Sequence, residues 1–334
     1  MTTTNRFAAT AGAVVLGVLA ATTAQAQTGA DFYKDKTVNY IVATAPGGGY
    51  DTYARLITEY MQRYLPGSTF VVRNVPGAGH IVGANTIYAS KPDGLTIGTF
   101  NTGLIYNQLT NAAGVKFDLT KMSWVGKAAS EPRIVVMGAH TTVKSFQDIV
   151  DSKQPLNFVT TGIGSSNYVE ITVLTNILKL PVKVLTNYSG NDDQLAVRRG
   201  EAAGAIASRS SYEAFVKNGY GRFIAQIGGR QTDLPQLSTL IKDPKGLTFV
   251  ALIQSQGDIA RLTAGPPGIP ADRMEALRGA YKKALEDPEL IAKAEKIGVP
   301  LDPAYGDAVL KLVKDALSQP PDVVAVVKDA LQAK

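Results

Sequence analysis

Two glycine-rich turns hold the residues best suited to binding chemistry. The first reads Pro46-Gly47-Gly48-Gly49-Tyr50-Asp51 and the second Gly162-Ile163-Gly164-Ser165-Ser166-Asn167. The apolar run at 38–42 leads into the first, and Tyr53, Ile57, Tyr60, Met61 and Tyr64 lead out of it at three- and four-residue spacing. That spacing predicts a strand, a turn and a helix start. Glycine lets backbone N–H groups meet a ligand with no side chain in the way. The helix start adds unpaired donors and partial positive charge, which attract carboxylates as well as phosphates. A turn that needs glycine for its geometry alone fits the same residues. Asp51 also has two readings. It caps the helix by accepting bonds from first-turn amides, or it meets a ligand hydroxyl, amine or water.

The second turn follows a strand expected at 157–161. Asn167 and Glu170 have capping-box spacing, which predicts that Asn167 caps a largely buried helix carrying Val169, Val173, Leu174, Ile177 and Leu178. Asn101-Thr102-Gly103 ends a further strand, at 95–100, with small polar groups.

Other chemistries lack their residues. A P-loop needs a lysine and a hydroxyl residue after its last glycine, but Tyr50 and Asp51 follow here. Gly77-Ala78-Gly79 matches a dinucleotide fingerprint only loosely, with Gly83 one residue late and Pro76 in front. No G-x-S-x-G elbow is present. The two histidines, His80 and His140, have no ligand-spaced partners for zinc, and His80 reads as a surface or turn residue. Asp192-Asp193, ahead of Leu195 and Val197, suit a helix N-terminus. No cofactor, metal or catalytic residue is expected. The expected grip is by main-chain amides on opposing jaws, rather than by formal cations or nucleophiles.

The chain has 334 residues, 45% hydrophobic and 19% charged, enough for about two domains. Arg6, an uncharged apolar run at 7–21 and Ala24-Gln25-Ala26 read as a cleaved secretory signal at 1–26, with a membrane anchor as the competing reading. The absence of cysteine excludes disulfides and a cysteine-linked lipid. Removing Arg6 takes the formal charge from +6 to +5, with no basic stripe, so nucleic acid is not an expected partner.

Short apolar runs alternate with helical patterns. Strands are expected at 70–72, 124–125, 134–137, 183–185, 203–207, 223–227 and 249–253, besides those named above. Helices are expected around 84–89, 274–285 and 309–317, and after Pro320-Pro321. Gly265-Pro266-Pro267-Gly268-Ile269-Pro270 is a stiff connector. Alternation predicts an α/β fold with mostly parallel sheets, and ligands beyond the carboxyl ends of strands.

The blocks in order resemble a family. Pro46 to Asp51 is similar to the P-G-G-x-x-D loop of tripartite tricarboxylate transporter receptors, the Bug or TctC-like solute-binding proteins. Asn74-Val75-Pro76-Gly77-Ala78-Gly79 resembles their N-R-P-G-A-G, and Pro92-Asp93-Gly94-Leu95-Thr96 their P-D-G-Y-T. Gly162 to Ser165 with Glu170 resembles G-S-G-S…E, and Tyr188-Ser189-Gly190 to Gly200-Glu201 resembles Y-K-G…G-Q. Leu234-Pro235 and Gly268-Ile269-Pro270-Ala271 follow in order.

The resemblance implies a two-lobed periplasmic-binding-protein fold, each lobe a mostly parallel sheet flanked by helices, with the ligand cleft between them. Lobe one is expected at 27–128 plus 255–334 and lobe two at 129–254. It also implies a soluble periplasmic monomer that delivers a di-, tri- or aromatic carboxylate to TctA- and TctB-like permease subunits. By resemblance Gly47, Gly48, Asp51, Ser165 and Ser166 hold the ligand. Pro46, Gly49, Tyr50, Asn101, Thr102, Gly164, Asn167 and Tyr188 complete the candidate set. An α/β enzyme using Ser165 or Asp51, and a sensor subunit presenting its ligand to a membrane kinase, are the alternatives.

Overall fold

The computed structural model describes Met1 and residues 29–186, 188, 191–229 and 234–332. The expected leader beyond Met1, with its Ala24-Gln25-Ala26 site, lies outside the described residues, as do Ser189 and Gly190.

The chain first builds β1 (Thr37–Val42), α1 (Gly49–Tyr64), β2 (Thr69–Asn74), α2 (Ile81–Tyr88), β3 (Thr96–Thr99), α3 (Leu104–Leu109) and β4 (Ser123–Lys127). It then crosses over and forms β5 (Arg133–Gly138), α4 (Phe146–Val150), β6 (Leu156–Val159), α5 (Ser166–Leu178), β7 (Val182–Leu185), α6 (Asp192–Arg198), β8 (Gly204–Ser208), α7 (Arg209–Lys217) and β9 (Gly221–Ile227). Helices α8 (Leu237–Leu240) and α9 (Pro244–Gly257) follow. The return brings β10 (Leu262–Gly265), α10 (Ala271–Leu285), α11 (Pro288–Lys296), β11 (Ala304–Tyr305), α12 (Asp307–Leu317) and α13 (Pro321–Gln332).

Two sheets result, ordered β11-β4-β10-β3-β1-β2 and β7-β6-β8-β5-β9. Both are mixed, where mostly parallel sheets were expected. β1 pairs parallel with β2 and β3, and β6 pairs parallel with β7 and β8. But β10 returns from the other lobe and runs against β3 and β4. In the same way β5 enters against β8 and β9. Each crossing therefore adds antiparallel pairs to a parallel core.

Packing explains the local choices. β1 buries Val38, Tyr40, Ile41 and Val42, so both of its faces are covered, as a central parallel strand requires. α1 buries Tyr53, Ala54, Ile57, Tyr60 and Met61, one stripe of a period-3.6 pattern, and α10 packs against it. The apolar run at 249–253, expected as a strand, lies inside α9. Asp243 caps that helix by accepting from the Gly246 N–H at 2.9 Å, and Pro244 opens it. Five apolar residues in a row fit a buried helix as well as a strand, and here the cap and proline decide. β10, just before the Gly265 connector, was not foreseen.

The last helix corrects the expected division. α13 falls within 255–334, yet Val323, Val327 and Ala330 are buried in the core of the second sheet, against α5 and α9. α12 stays with the first sheet, burying Val309, Val313 and Ala316. Apolar stripes on the two consecutive helices thus serve different lobes. Asn176 of α5 also donates from Nδ2 to the Ala330 carbonyl. Val327→Ala should cost about 2 kcal/mol of unfolding free energy in urea titrations, as for a buried aliphatic side chain cut back to alanine. A cost within error of zero would mean that α13 is not part of the second core.

Candidate functional site

A cavity of about 410 Å³ lies between the lobes. Lobe one supplies Ala43, Thr44, Ala45 and Gly48 from the loop after β1, Gly49 and Tyr50 from the first turn of α1, Pro76 to His80 from the loop after β2, and Asn101 after β3. Lobe two supplies Thr161 to Ile163, Ser166 and Asn167 before and within α5, Asn191, Asp193 and Gln194 at the start of α6, and Ser208, Ser211 and Tyr212 around α7. Arg133 and Arg261 complete the lining. The loops after β1, β6 and β8 follow the carboxyl ends of strands, where ligands sit in open α/β sheets.

Both glycine turns start a helix here. Gly48, extended at φ −84°, is the N-cap of α1 and has no side chain to close the first amides. Ser165 is the N-cap of α5 and likewise makes no side-chain cap. The donors of α5 are partly used, because the Ser166 N–H donates to Asn101 Oδ1 at 3.1 Å. That bond joins the lobes, as does Asn107 Nδ2 donating to the Gly164 carbonyl at 2.9 Å. Close approach requires glycine at two places in this seam. A Cβ on Gly79 would fall 2.4 Å from the Ile163 carbonyl oxygen, and one on Gly103 would fall 2.4 Å from the Ser166 nitrogen.

Of the candidate residues, Gly48, Gly49, Tyr50, Asn101, Ser166 and Asn167 line the cavity. The other seven do not. Pro46 and Gly47 are exposed, and the Gly47 N–H is taken by Asp51 Oδ2 at 3.0 Å. Asp51 is buried and held by Arg55 at 2.9 Å and by Asn74 Nδ2 at 2.9 Å. Burial alone would raise its carboxyl, but Arg55, the Gly47 amide and Asn74 hold it below the usual aspartate range. It therefore ties the turn together from within α1: it accepts from the amide ahead of the Gly48 N-cap rather than from first-turn amides, as capping required, and it does not line the cavity. Ser165 is wholly buried, its hydroxyl 2.6 Å from both the Gly162 carbonyl and Asn167 Oδ1. Asn167, expected to cap α5, instead accepts from Thr161 Oγ1 at 3.0 Å and fixes the turn. Gly164 gives its carbonyl to Asn107, Thr102 is buried, and Tyr188 packs beside the cluster around Tyr212.

Two arginines stand in the cavity wall, where amides and not formal cations were expected. Arg133 opens β5 and is paired with Glu170, Nε at 2.9 Å from both carboxylate oxygens and Nη2 at 2.5 Å from Oε2. Its Nη1 donates to Ser208 Oγ at 2.9 Å. Arg261 pairs with Glu131 through Nε at 2.8 Å and Nη2 at 3.2 Å, and lies over the rings of Tyr50 and Tyr53 at 4.4 and 4.8 Å. None of these bonds uses Arg261 Nη1, and a guanidinium has five N–H donors. Burial alone would raise the Glu131 carboxyl, but Arg261, Ser210 and Tyr53 hold it down. Each guanidinium is thus matched by a buried glutamate and stands in the cavity wall, with Arg133 Nη2 also reaching the Ile206 carbonyl at 3.5 Å and Arg261 Nη2 the Ser210 hydroxyl at 3.2 Å. Charged residues heading otherwise apolar segments were the available signal for both.

Two further lining groups were read differently from sequence. His80, expected at the surface or in a turn, does lie in a short turn at Ala78–His80, but is buried there at φ +81° with its ring edge-on to Tyr50. Its Nδ1 has no partner, and burial lowers the imidazole pKa to about 4. Asp193 does stand in the first turn of α6 as expected, but it turns inward. It accepts from the Tyr212 hydroxyl at 2.9 Å and the Gln194 N–H at 2.8 Å. Burial raises its pKa from 3.8 to about 6.

A family model described as the tripartite tricarboxylate transporter family receptor, TctC, matches residues 53–327. A UPF0065 protein of Bordetella pertussis is 25% identical over 303 residues, 87% of this chain and 89% of its own. The structure of the periplasmic binding protein BugD superposes with a TM-score of 0.73 at 20% identity, over 89% of this chain and 98% of that one. MatC from Rhodopseudomonas palustris, with bound malate, superposes with a TM-score of 0.72 at 21% identity, over 86% and 99%. These likenesses show the two-lobed α/β fold of periplasmic binding proteins.

Opposed titrations follow from the lining. Asp193, with its folded pKa of about 6 above the ordinary 3.8, is stabilising only when protonated. Its cost is full above pH 6 and is relieved as the pH falls towards 3.8. His80, folded at about 4 against 6.5, costs nothing above pH 6.5 and destabilises as the pH falls towards 4. Asp193→Asn removes the charge and keeps one carbonyl acceptor, for the Tyr212 hydroxyl or the Gln194 N–H but not both. It should raise stability by up to about 3 kcal/mol at pH 7.5, with the gain shrinking between pH 6 and 4 in thermal melts. A variant less stable at pH 7.5 would refute this.

Proposed function

Since the chain belongs to the tripartite tricarboxylate transporter receptor family, we propose that it is a periplasmic receptor that captures an organic carboxylate between its lobes and hands it to a membrane permease of that transporter class. The family is one of receptors, not enzymes. The observation that carries the proposal is the convergence on one cavity of the uncapped start of α1 and the guanidinium groups of Arg133 and Arg261. Charge-assisted bonds to carboxylate are about twice as strong as neutral ones. The cavity volume lies in the range of small-ligand sites, and MatC, with the same fold, holds malate.

The site residues we assign to this grip are Gly48, Gly49, Tyr50, Ser166, Asn167, Arg133 and Arg261. Asn101 acts beside them by bridging the lobes. The residues on which an enzyme would depend are otherwise engaged, Ser165 within its own turn and Asp51 with Arg55. Among the described residues no helix is long and apolar enough to cross a membrane. The expected leader at 1–26 supports export, and residues 27–128 with 255–320 we assign to lobe one, 129–254 with α13 to lobe two.

The test is a thermal-shift screen of the chain without residues 1–26 against mono-, di-, tri- and aromatic carboxylates. A ligand at one hundred times its Kd adds about 2.7 kcal/mol, so the true ligand raises Tm by several degrees. No shift from any carboxylate would sink the proposal. Gly48→Val then checks the grip. Its extended backbone accepts any residue, so Tm should hold within a few degrees. A branched side chain at the cavity wall should nevertheless weaken carboxylate binding by roughly 3 kcal/mol or more, the loss of two or so bonds to a charged group. Unchanged affinity in calorimetry would remove the start of α1 from the site.

A further inference from the structure

We propose that Asp193, held by Tyr212, is a second recognition point in this cavity, and that the acid it selects carries a protonated amine. The inference rests on the carboxylate reading above and names the class of acid.

Charge matching is the first ground. Both cavity arginines already have their own glutamates, Glu170 for Arg133 and Glu131 for Arg261. Asp193 is left as a third carboxylate whose hydrogen-bond partners are neutral, the Tyr212 hydroxyl and the Gln194 N–H. An ionised carboxylate has about four lone-pair sites, so two bonds leave acceptor capacity. A ligand bearing only negative charge would set its own carboxylates near an unmatched one. A ligand with an ammonium group would match it.

Placement is the second ground. Asp192 and Asp193 share the first turn of α6, and the exposed Asp192 suffices to favour that helix end. Asp193 is instead turned into the cavity wall, 6% exposed, beside the fully buried Tyr212. Burying a carboxylate on neutral partners costs stability, and a structural role at a helix start does not require it. The two ends of the site are also joined. Ser208, which accepts from Arg133 Nη1, is the N-cap of α7, and Tyr212 lies one turn along that helix. Four residues of helix span about 6 Å, so the arginine and the aspartate subsites lie within reach of one small zwitterion. His80, its Nδ1 without a partner, lines the same cavity from lobe one.

The experiment is calorimetry with matched acids that differ only in one substituent. The sets are succinate, malate and aspartate; glutarate, 2-hydroxyglutarate and glutamate; adipate and 2-aminoadipate; propionate, lactate and alanine; phenylacetate, mandelate and phenylglycine. In whichever set binds, the amino member should bind roughly tenfold or more tightly than the unsubstituted acid, as expected for one hydrogen bond between charged groups. Asp193→Asn should close most of that gap, and Tyr212→Phe should narrow it. An unsubstituted or hydroxy acid that binds as tightly as its amino partner overturns the inference and leaves the carboxylate reading standing. So does a loss of equal factor for every member in both variants. Silence of every acid overturns both readings.

Discussion

Glu131 lies on the chain segment that leaves lobe one and Arg261 on the segment that returns, and the two side chains meet at 2.8 Å with almost no exposure. The segments themselves run side by side, the Glu131 N–H donating to the Gly257 carbonyl and the Ala128 N–H to the Arg261 carbonyl. A buried ion pair is expensive to form, and losing one partner costs about 3–5 kcal/mol because the other charge is stranded. Here Tyr53 and Ser210 complete the bonding of Glu131 from the two sides. The same pair that fixes the crossing also aims a guanidinium at the cavity. The crossing between the lobes and one wall of the cavity are therefore built from the same pair, and the backbone of Arg261 there, at φ +59°, lies in the left-handed region.

Around that pair the lobes meet through surfaces with little tolerance. Gly79 and Gly103 sit against the start of α5 at distances that admit no side chain. Asn101 and Asn107 supply the polar bonds across the seam. Gly79 after β2 and Gly103 after β3 thus serve lobe contact, while Gly48 serves the open start of α1. Two sequence blocks of similar composition have different physical duties.

Local features were the legible ones. The strand, glycine turn and helix around Gly48 follow from neighbouring residues, as do the stripes of α1, α10 and α12. Three of the family blocks lie on loops that border the cavity, at 46–51, 74–79 and 162–165. Site chemistry was harder, because its decisive bonds span the chain: Arg133 to Glu170 across 37 positions and Glu131 to Arg261 across 130. No spacing rule reaches that far. Ser165 looked available because nothing in the sequence says that its hydroxyl turns back on Gly162 and Asn167. Asp193 looked like a helix-end acid because the fold, not the sequence, rotates it inward. The run at 249–253 was ambiguous in itself, and only its cap settled it.

The placement of α13 has a mechanical consequence. Two crossings beside Glu131 and Arg261 would leave one lobe free to twist as well as to swing about the other. Residues 318–320 make a third tie, leading from α12 on the first sheet to α13 on the second. A third covalent connection limits how far one lobe can move against the other, so the last helix of the chain belongs to the mechanics of both lobes.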